Sequence, residues 1–349
     1  MRFSGPEKLV ISAAIASRED PVMAVVRAAA AILSTIAVVL RPEAVLPAAR
    51  ATAGPFVTLA AVIGCSLLAD RLGVFRLAAC LLIPGRAPRA VAAGAVLAFT
   101  GLLSALANLD VAVVVATPVA MRAARDHRLP AGRLAAAVAV TANAASFLLP
   151  TSNVTTLLLL ARAPLPVLDY LRGSWLAWLL VAAITIGPLT AWLTRPGTAA
   201  TRPARAAPGG PSARAAPGGP SARAALDLIP MFLIASAIRA MLAAGITLHA
   251  GTVGQLAAGA AIAAAITNLP AAAALHPAGT LGLWAAILAT AIGPNLIITG
   301  SVATVICRRI TRDAGAPFKA GLFTATGAAL LPAQLAAAIL GLHIVGALR

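Results

Sequence analysis

The chain has 349 residues, 60% of them hydrophobic and only 11% charged, with a mean hydropathy of +0.94. That composition excludes an ordinary soluble domain and indicates an all-α polytopic membrane protein. The net charge of +17 would suit nucleic acid in a soluble protein, but nearly all the arginines fall between apolar segments, as the positive-inside bias requires, so no nucleic-acid partner is expected.

About twenty apolar residues span a bilayer as a helix, and a polar interruption at membrane depth must be lined by protein or water. Residues 1–23 carry Arg2, Lys8, Arg18, Glu19 and Asp20 without a clear signal-peptide core, which predicts an uncleaved cytoplasmic N-terminus. A first transmembrane repeat follows over 24–194. Residues 24–40 and 56–70 read as spans, separated by a loop containing Arg41, Pro42, Glu43 and Arg50, and 74–84 read as a short interfacial helix.

Two apolar stretches then meet at Asn108-Leu109-Asp110, yet Arg86 and Arg89 precede the first and Arg122, Arg125 and Arg128 follow the second. Basic flanks on one side predict a re-entrant hairpin over 90–121, its tip at the membrane centre. The second arm, 111–121, is short for a crossing at about 1.5 Å per residue. Residues 133–161 are too long for one uninterrupted span and contain Pro150, which cannot donate to a helical ladder. They predict a broken helix unwound from Pro150 to Thr155. Residues 174–194 return across the membrane, with Trp175, Trp178 and Trp192 placed as an aromatic belt would place them.

Residues 195–225 are of different composition, carrying the unit ARAAPGGPS twice, and predict a flexible cytoplasmic linker. The second repeat, 226–349, begins with a span at 226–245. A second hairpin over 250–276 turns at Asn268-Leu269-Pro270 and is flanked by His249 and His276 rather than by arginine, so it enters from outside. A broken helix over 279–307, interrupted at Gly293-Pro294-Asn295, leads to Arg308, Arg309 and Arg312, and a last span at 319–345 leaves the C-terminus outside. Seven crossings with two hairpins entering from opposite faces describe an inverted-repeat transporter. At an offset of 148, Thr151, Val154 and Thr156 fall on Thr299, Val302 and Thr304. At an offset of 160, Asn108 and Leu109 fall on Asn268 and Leu269.

Asp110 is the carboxylate placed deep in an apolar segment, and an ionisable group there is a functional-site candidate by default. It is the proposed carrier of a coupling proton, although Asp also caps helices well. Asn108, Ser152, Asn153, Thr155, Asn268, Asn295, Thr299 and Ser301 supply neutral donors and acceptors for a small hydroxylated solute, or for an anion helped by helix dipoles. Pro150, Pro270, Gly293, Pro294 and Gly300 mark the backbone breaks. Cys65, Cys80 and Cys307 are scattered, and the four histidines lie near segment ends, so no disulfide, metal site or cofactor is expected. Intramembrane proteolysis needs paired carboxylates or a His-Glu-x-x-His helix, and the sequence has neither, so no enzyme is expected.

The succession NLDVAVVVATPV, ASFLLPTSNVTTLL, ITNLPAAAAL and IGPNLIITGSVAT closely resembles the arsenite efflux permease family, part of an ion transporter superfamily that includes divalent-anion/sodium symporters. The resemblance covers roughly 55–195 and 226–345. It implies a homodimeric antiporter of the cytoplasmic membrane that exports arsenite or antimonite against protons, with hairpin tips and unwound helices forming the site and an ATPase as a further possible partner. It also implies that Asn108 and Asp110 stand at the first tip, Ser152 and Asn153 at the first break, and Asn268 and Pro270 at the second tip. Gly293, Pro294, Asn295, Thr299, Gly300 and Ser301 would form the second break. Where the family shows two adjacent asparagines before Leu-Pro, this chain has Thr267-Asn268, and its second half is shorter by about a pair of spans. The alternatives are an inorganic-anion or dicarboxylate symporter, a sodium/proton exchanger of the same superfamily, or a shortened transport-inactive membrane protein.

Overall fold

The computed structural model describes residues 21–74, 77, 80–81, 87–195, 221–242, 255, 258–263 and 267–348, and its elements are helices. Four of them are long and apolar enough to cross a membrane: Arg89–Leu106, Val167–Thr194, Gly279–Leu296 and Ala320–Ile344. Large apolar side chains stay outward on the surface, among them Val39 at 71% exposure and Leu168 at 67%, a pattern that suits contact with lipid. The protein is an all-α membrane protein.

Helix α1 covers Pro21–Leu40 and α2 covers Pro42–Arg71. The loop expected between two spans is therefore helical. Pro42 opens α2, where a missing N–H costs nothing, and the helix continues through Pro47 and Pro55. The interfacial helix expected at 74–84 lies largely outside the described residues, as do residues 1–20.

Helices α3 (Arg89–Leu106) and α4 (Leu109–Asp126) fold back on each other about a two-residue turn at Ala107-Asn108. The second arm is longer than expected, because α4 runs on through its Arg122–Asp126 ion pair. Helix α5 (Ala131–Ala144) stops well before Pro150. The chain is irregular from Ala145, makes a 3₁₀ turn at Pro150–Ser152, and resumes as α6 (Val154–Leu160). The unwound stretch thus begins earlier than Pro150 and ends before Thr155. Helix α7 then runs Val167–Thr194, seven residues longer at its start than the span expected at 174–194.

Helix α8, Ser221–Met241, takes in the end of the segment expected to be linker; residues 196–220 are not described. It packs against α1 and α2, with Phe232 edge-on to Phe56 at 5.5 Å. Most of the first arm expected for a second hairpin lies outside the described residues, and α9 covers Asn268–Ala274. Helix α10 (Gly279–Ile292) is followed by 3₁₀ turns at Gly293–Leu296 and Ile298–Gly300. Helix α11 (Val302–Asp313) extends past the expected end at 307, and α12 covers Ala320–Ile344.

Helices α7 and α12 lie along each other, so closely that a Cβ on Gly341 would run into the Ala177 backbone. Gln334 on α12 donates to Thr185 on α7 at 2.8 Å. Around this pair the halves interlock crosswise. Helix α4, the return arm of the first pair, packs on α11, which follows the second break. Helix α9 packs on α6, which follows the first break. One apolar core gathers Phe147, Tyr170 and Trp284 across the halves, with the last two rings 5.1 Å apart; another joins Phe99 and Leu134 to Phe323.

Candidate functional site

The two breaks begin differently, at Ala145 (φ −93°, ψ 4°) and Gly293 (φ −53°, ψ −38°), but end with the same backbone. Helices α5 and α10 span 131–144 and 279–292, so both ends keep the offset of 148 read from the sequence. Each break enters its last 3₁₀ turn from an extended residue, Leu149 or Ile297, and leaves it through another. Asn153 stands at φ −147°, ψ 134° and Ser301 at φ −142°, ψ 137°. The amides of Thr156 and Thr304 donate back to the Asn153 and Ser301 carbonyls, both at 3.1 Å, and those of Leu157 and Val305 do so at 3.4 Å.

The side chains differ. Asn153 caps α6 by accepting from the Thr155 amide at 3.1 Å, and its amide group donates to Ser146 Oγ at 3.0 Å. Ser301 makes no such cap for α11. Ser152 Oγ receives the Leu149 amide at 2.9 Å and donates to the Ala105 carbonyl, tying the first break to the end of α3. Gly300 is needed where it stands, since a Cβ there would meet the Pro294 backbone at 2.7 to 2.8 Å. Gly327 on α12 is likewise pressed on the Asn295 carbonyl.

The α3–α4 turn is fixed to the first break. Asn108 caps α4 by accepting from the Asp110 amide at 2.9 Å, and its Nδ2 donates to the Thr151 carbonyl at 3.1 Å. Asp110 is half-buried and makes no ion pair among the described residues. Asn268 is buried in the first turn of α9, and the preceding Thr267 stands at φ 73°, ψ 154°, a conformation that essentially only glycine adopts.

Asn143, the penultimate residue of α5, joins the two breaks. Its Nδ2 donates to Asn295 Oδ1 at 3.0 Å and to Thr304 Oγ1 at 3.1 Å, while Asn295 Nδ2 reaches back to the Val140 carbonyl at 3.3 Å. All three side chains are buried. The Oδ1 of Asn143 and the hydroxyl of Thr155 are buried without a partner among the described residues, which is costly in an apolar interior and marks the crossing as a place with unused hydrogen-bonding capacity.

Asn108, Ser152, Asn153, Thr155, Asn295 and Ser301 are therefore buried at or beside the breaks, with Asn268 at the start of the helix packed on α6. Pro150 and Thr151 are half-buried. Thr299 faces outward, so it does not join the lining. Asn143, Ser146, Ser104 and Thr304 belong to the polar network and were not picked out by the sequence reading as lining residues. The signal was an amide within the apolar run VAVTANAAS, which a membrane helix rarely carries without an interhelical partner.

Helix α7 supports the first break from one face. Tyr170, Ser174 and Trp178 recur every four residues and donate to the carbonyls of Phe147, Leu148 and Ala145 at 2.8, 2.8 and 3.0 Å. These bonds satisfy carbonyls that the unwound chain can no longer pair within a helix. Trp178 thus donates to the break, and Trp192 lies under the Arg133 guanidinium at 5.3 Å. The sequence matches no protein-family model and no curated protein.

Proposed function

We propose that the chain is a secondary transporter built as an inverted repeat, with re-entrant hairpins at 90–121 and 250–276, that exports arsenite or antimonite across the cytoplasmic membrane in exchange for protons. The observation that supports this reading is a pair of backbone breaks with the same exit geometry, held together through Asn143, Asn295 and Thr304 and each followed by a helix that packs on one of the other half. Broken helices leave backbone groups free for a solute at the middle of the membrane. Neutral arsenous acid is a small hydroxylated molecule. Buried amides and hydroxyls without a fixed charge match it, and Asp110 beside the first break is the group assigned to the coupling proton. The assembly is expected to be a homodimer.

Arsenite uptake into inverted membrane vesicles, with and without an imposed proton gradient, tests the reading in wild type and Asp110→Asn. Gradient-driven accumulation that disappears in the variant is the expected result. Accumulation that follows sodium instead moves the protein to the symporter branch of the superfamily. No accumulation by folded, inserted wild type removes arsenite as the substrate.

A further inference from the structure

The two breaks end in the same backbone but are not held alike. Side chains from neighbouring elements donate to the carbonyls of the first: Trp178 to Ala145 at 3.0 Å, Tyr170 to Phe147 and Ser174 to Leu148 at 2.8 Å, and Asn108 to Thr151 at 3.1 Å. Ser146 adds a bond from within, to the Asn143 carbonyl at 2.8 Å. Between Gly293 and Ser301, no side chain among the described residues donates to a carbonyl.

The difference lies in the helix behind each break. Helix α7 turns a phenol, a hydroxyl and an indole toward the first. Helix α12 packs on the second through Gly327, pressed on the Asn295 backbone, and its polar side chains point elsewhere. Gln334 donates to Thr185 on α7 at 2.8 Å, and Thr326 turns back to the Leu322 carbonyl of its own helix at 2.8 Å. The side-chain tie of the second break runs instead to the other half, from Asn143 to Asn295 Oδ1 and from Asn295 back to the Val140 carbonyl. The second break also lies nearer the surface. Ile297 is 42% exposed and Thr299 is exposed near it, whereas Ser146 and Phe147 in the first break are buried.

We propose that the solute binds on the second break, at the carbonyls of 293–301, and that the first break is a fixed platform from which the second parts at the Asn143–Asn295 bond. This rests on the reading of the chain as a transporter. Carbonyls that leave the helical ladder inside a membrane need donors, and those of the first break already have them from α7 and Asn108. At the second break the solute itself is the donor. A neutral molecule bearing hydroxyl groups supplies such bonds, whereas an oxyanion brings mainly further lone pairs. Parting the breaks gives up the Asn143 bonds to Asn295 and Thr304, while moving the first break would sever its ties to two other elements as well. The unequal hold therefore selects which break yields.

Hydrogen–deuterium exchange of the full chain in nanodiscs, read by mass spectrometry over 145–153 and 293–301 with and without arsenite, tests this. Without solute, protection at 293–301 is expected to be at least tenfold lower than at 145–153. Tyr170→Phe, which keeps the ring and removes the donor to Phe147, should raise exchange in the first segment and leave the second as it was. Saturating arsenite should slow exchange at least threefold at 293–301 and leave 145–153 unchanged. Equal protection of the two segments without solute, or slowing by arsenite confined to 145–153, overturns the proposal. Arsenite that slows neither segment overturns the binding site if vesicles accumulate arsenite. If they do not, the same result removes arsenite as the substrate, and the solute-free comparison decides which break yields.

Discussion

Replacing Asn143 by Ala tests the bridge between the two breaks. The substitution removes two hydrogen bonds, to Asn295 Oδ1 and Thr304 Oγ1, and leaves both acceptors buried. The Oδ1 of Asn143 already lacks a partner, so its loss costs nothing. Side-chain hydrogen bonds between membrane helices average about 0.6 kcal/mol and reach about 1.7, which puts the single change at roughly 1 to 3 kcal/mol. Asn295→Ala loses the same bridge and its bond to the Val140 carbonyl, and falls in the same range. Because the two changes share a bond, the double variant should be less destabilised than the sum by about 1 kcal/mol, outside the ~0.3–0.5 kcal/mol scatter of independent sites. Reversible unfolding in lipid bicelles measures all four corners of the cycle. Additive effects would refute the bridge as an energetic link between the halves.

Other predictions follow from asymmetries at the breaks. Asn153→Ala should lower stability by about 1 kcal/mol through loss of the α6 cap, whereas Ser301→Ala, whose side chain caps nothing, should change melting by only a fraction of that; equal shifts would contradict the capping assignment. Gly327→Ala should cost at least about 1–3 kcal/mol, because its Cβ meets the Asn295 backbone, which cannot rotate away. Gly187→Ala, with open space around the same atom, should leave the melting temperature unchanged or slightly raised. Trp178→Phe keeps the ring but strands the Ala145 carbonyl, and a loss of about 1 kcal/mol is expected from thermal unfolding in detergent.

Much of the local architecture was legible because helix breaks in an apolar chain need proline, glycine and small polar residues. The offset of 148 was visible in Thr151, Val154 and Thr156 against Thr299, Val302 and Thr304, and the structure extends it to both ends of α5 and α10. The start of the first break was not legible. Proline marks where a helix cannot continue, but α5 ends at Ala144 because α7 offers Tyr170, Ser174 and Trp178 to the carbonyls beyond, and those donors are distant in sequence. The region after Leu40 misled in the other direction: Arg41, Pro42, Glu43 and Arg50 suggested a loop, yet a proline at the first position of a helix breaks no ladder bond. Asn143 escaped notice because its partners lie in the other half. Thr299, aligned with the half-buried Thr151, is exposed although both stand in the equivalent 3₁₀ turn.

The Asn143–Asn295 bond also bears on how the protein is made. Its partners are 152 residues apart, so at synthesis rates of about 5–20 residues per second the first amide waits roughly eight to thirty seconds for its acceptor. During that interval α6 lacks α9, and the first break is supported only by its own half. A polar, half-finished bundle must therefore be held by the insertion machinery until the second half emerges. The second half has the complementary problem, since α11 has no cover unless α4 is already present. Expressed as two separate polypeptides, the halves should be recovered together or degraded apart.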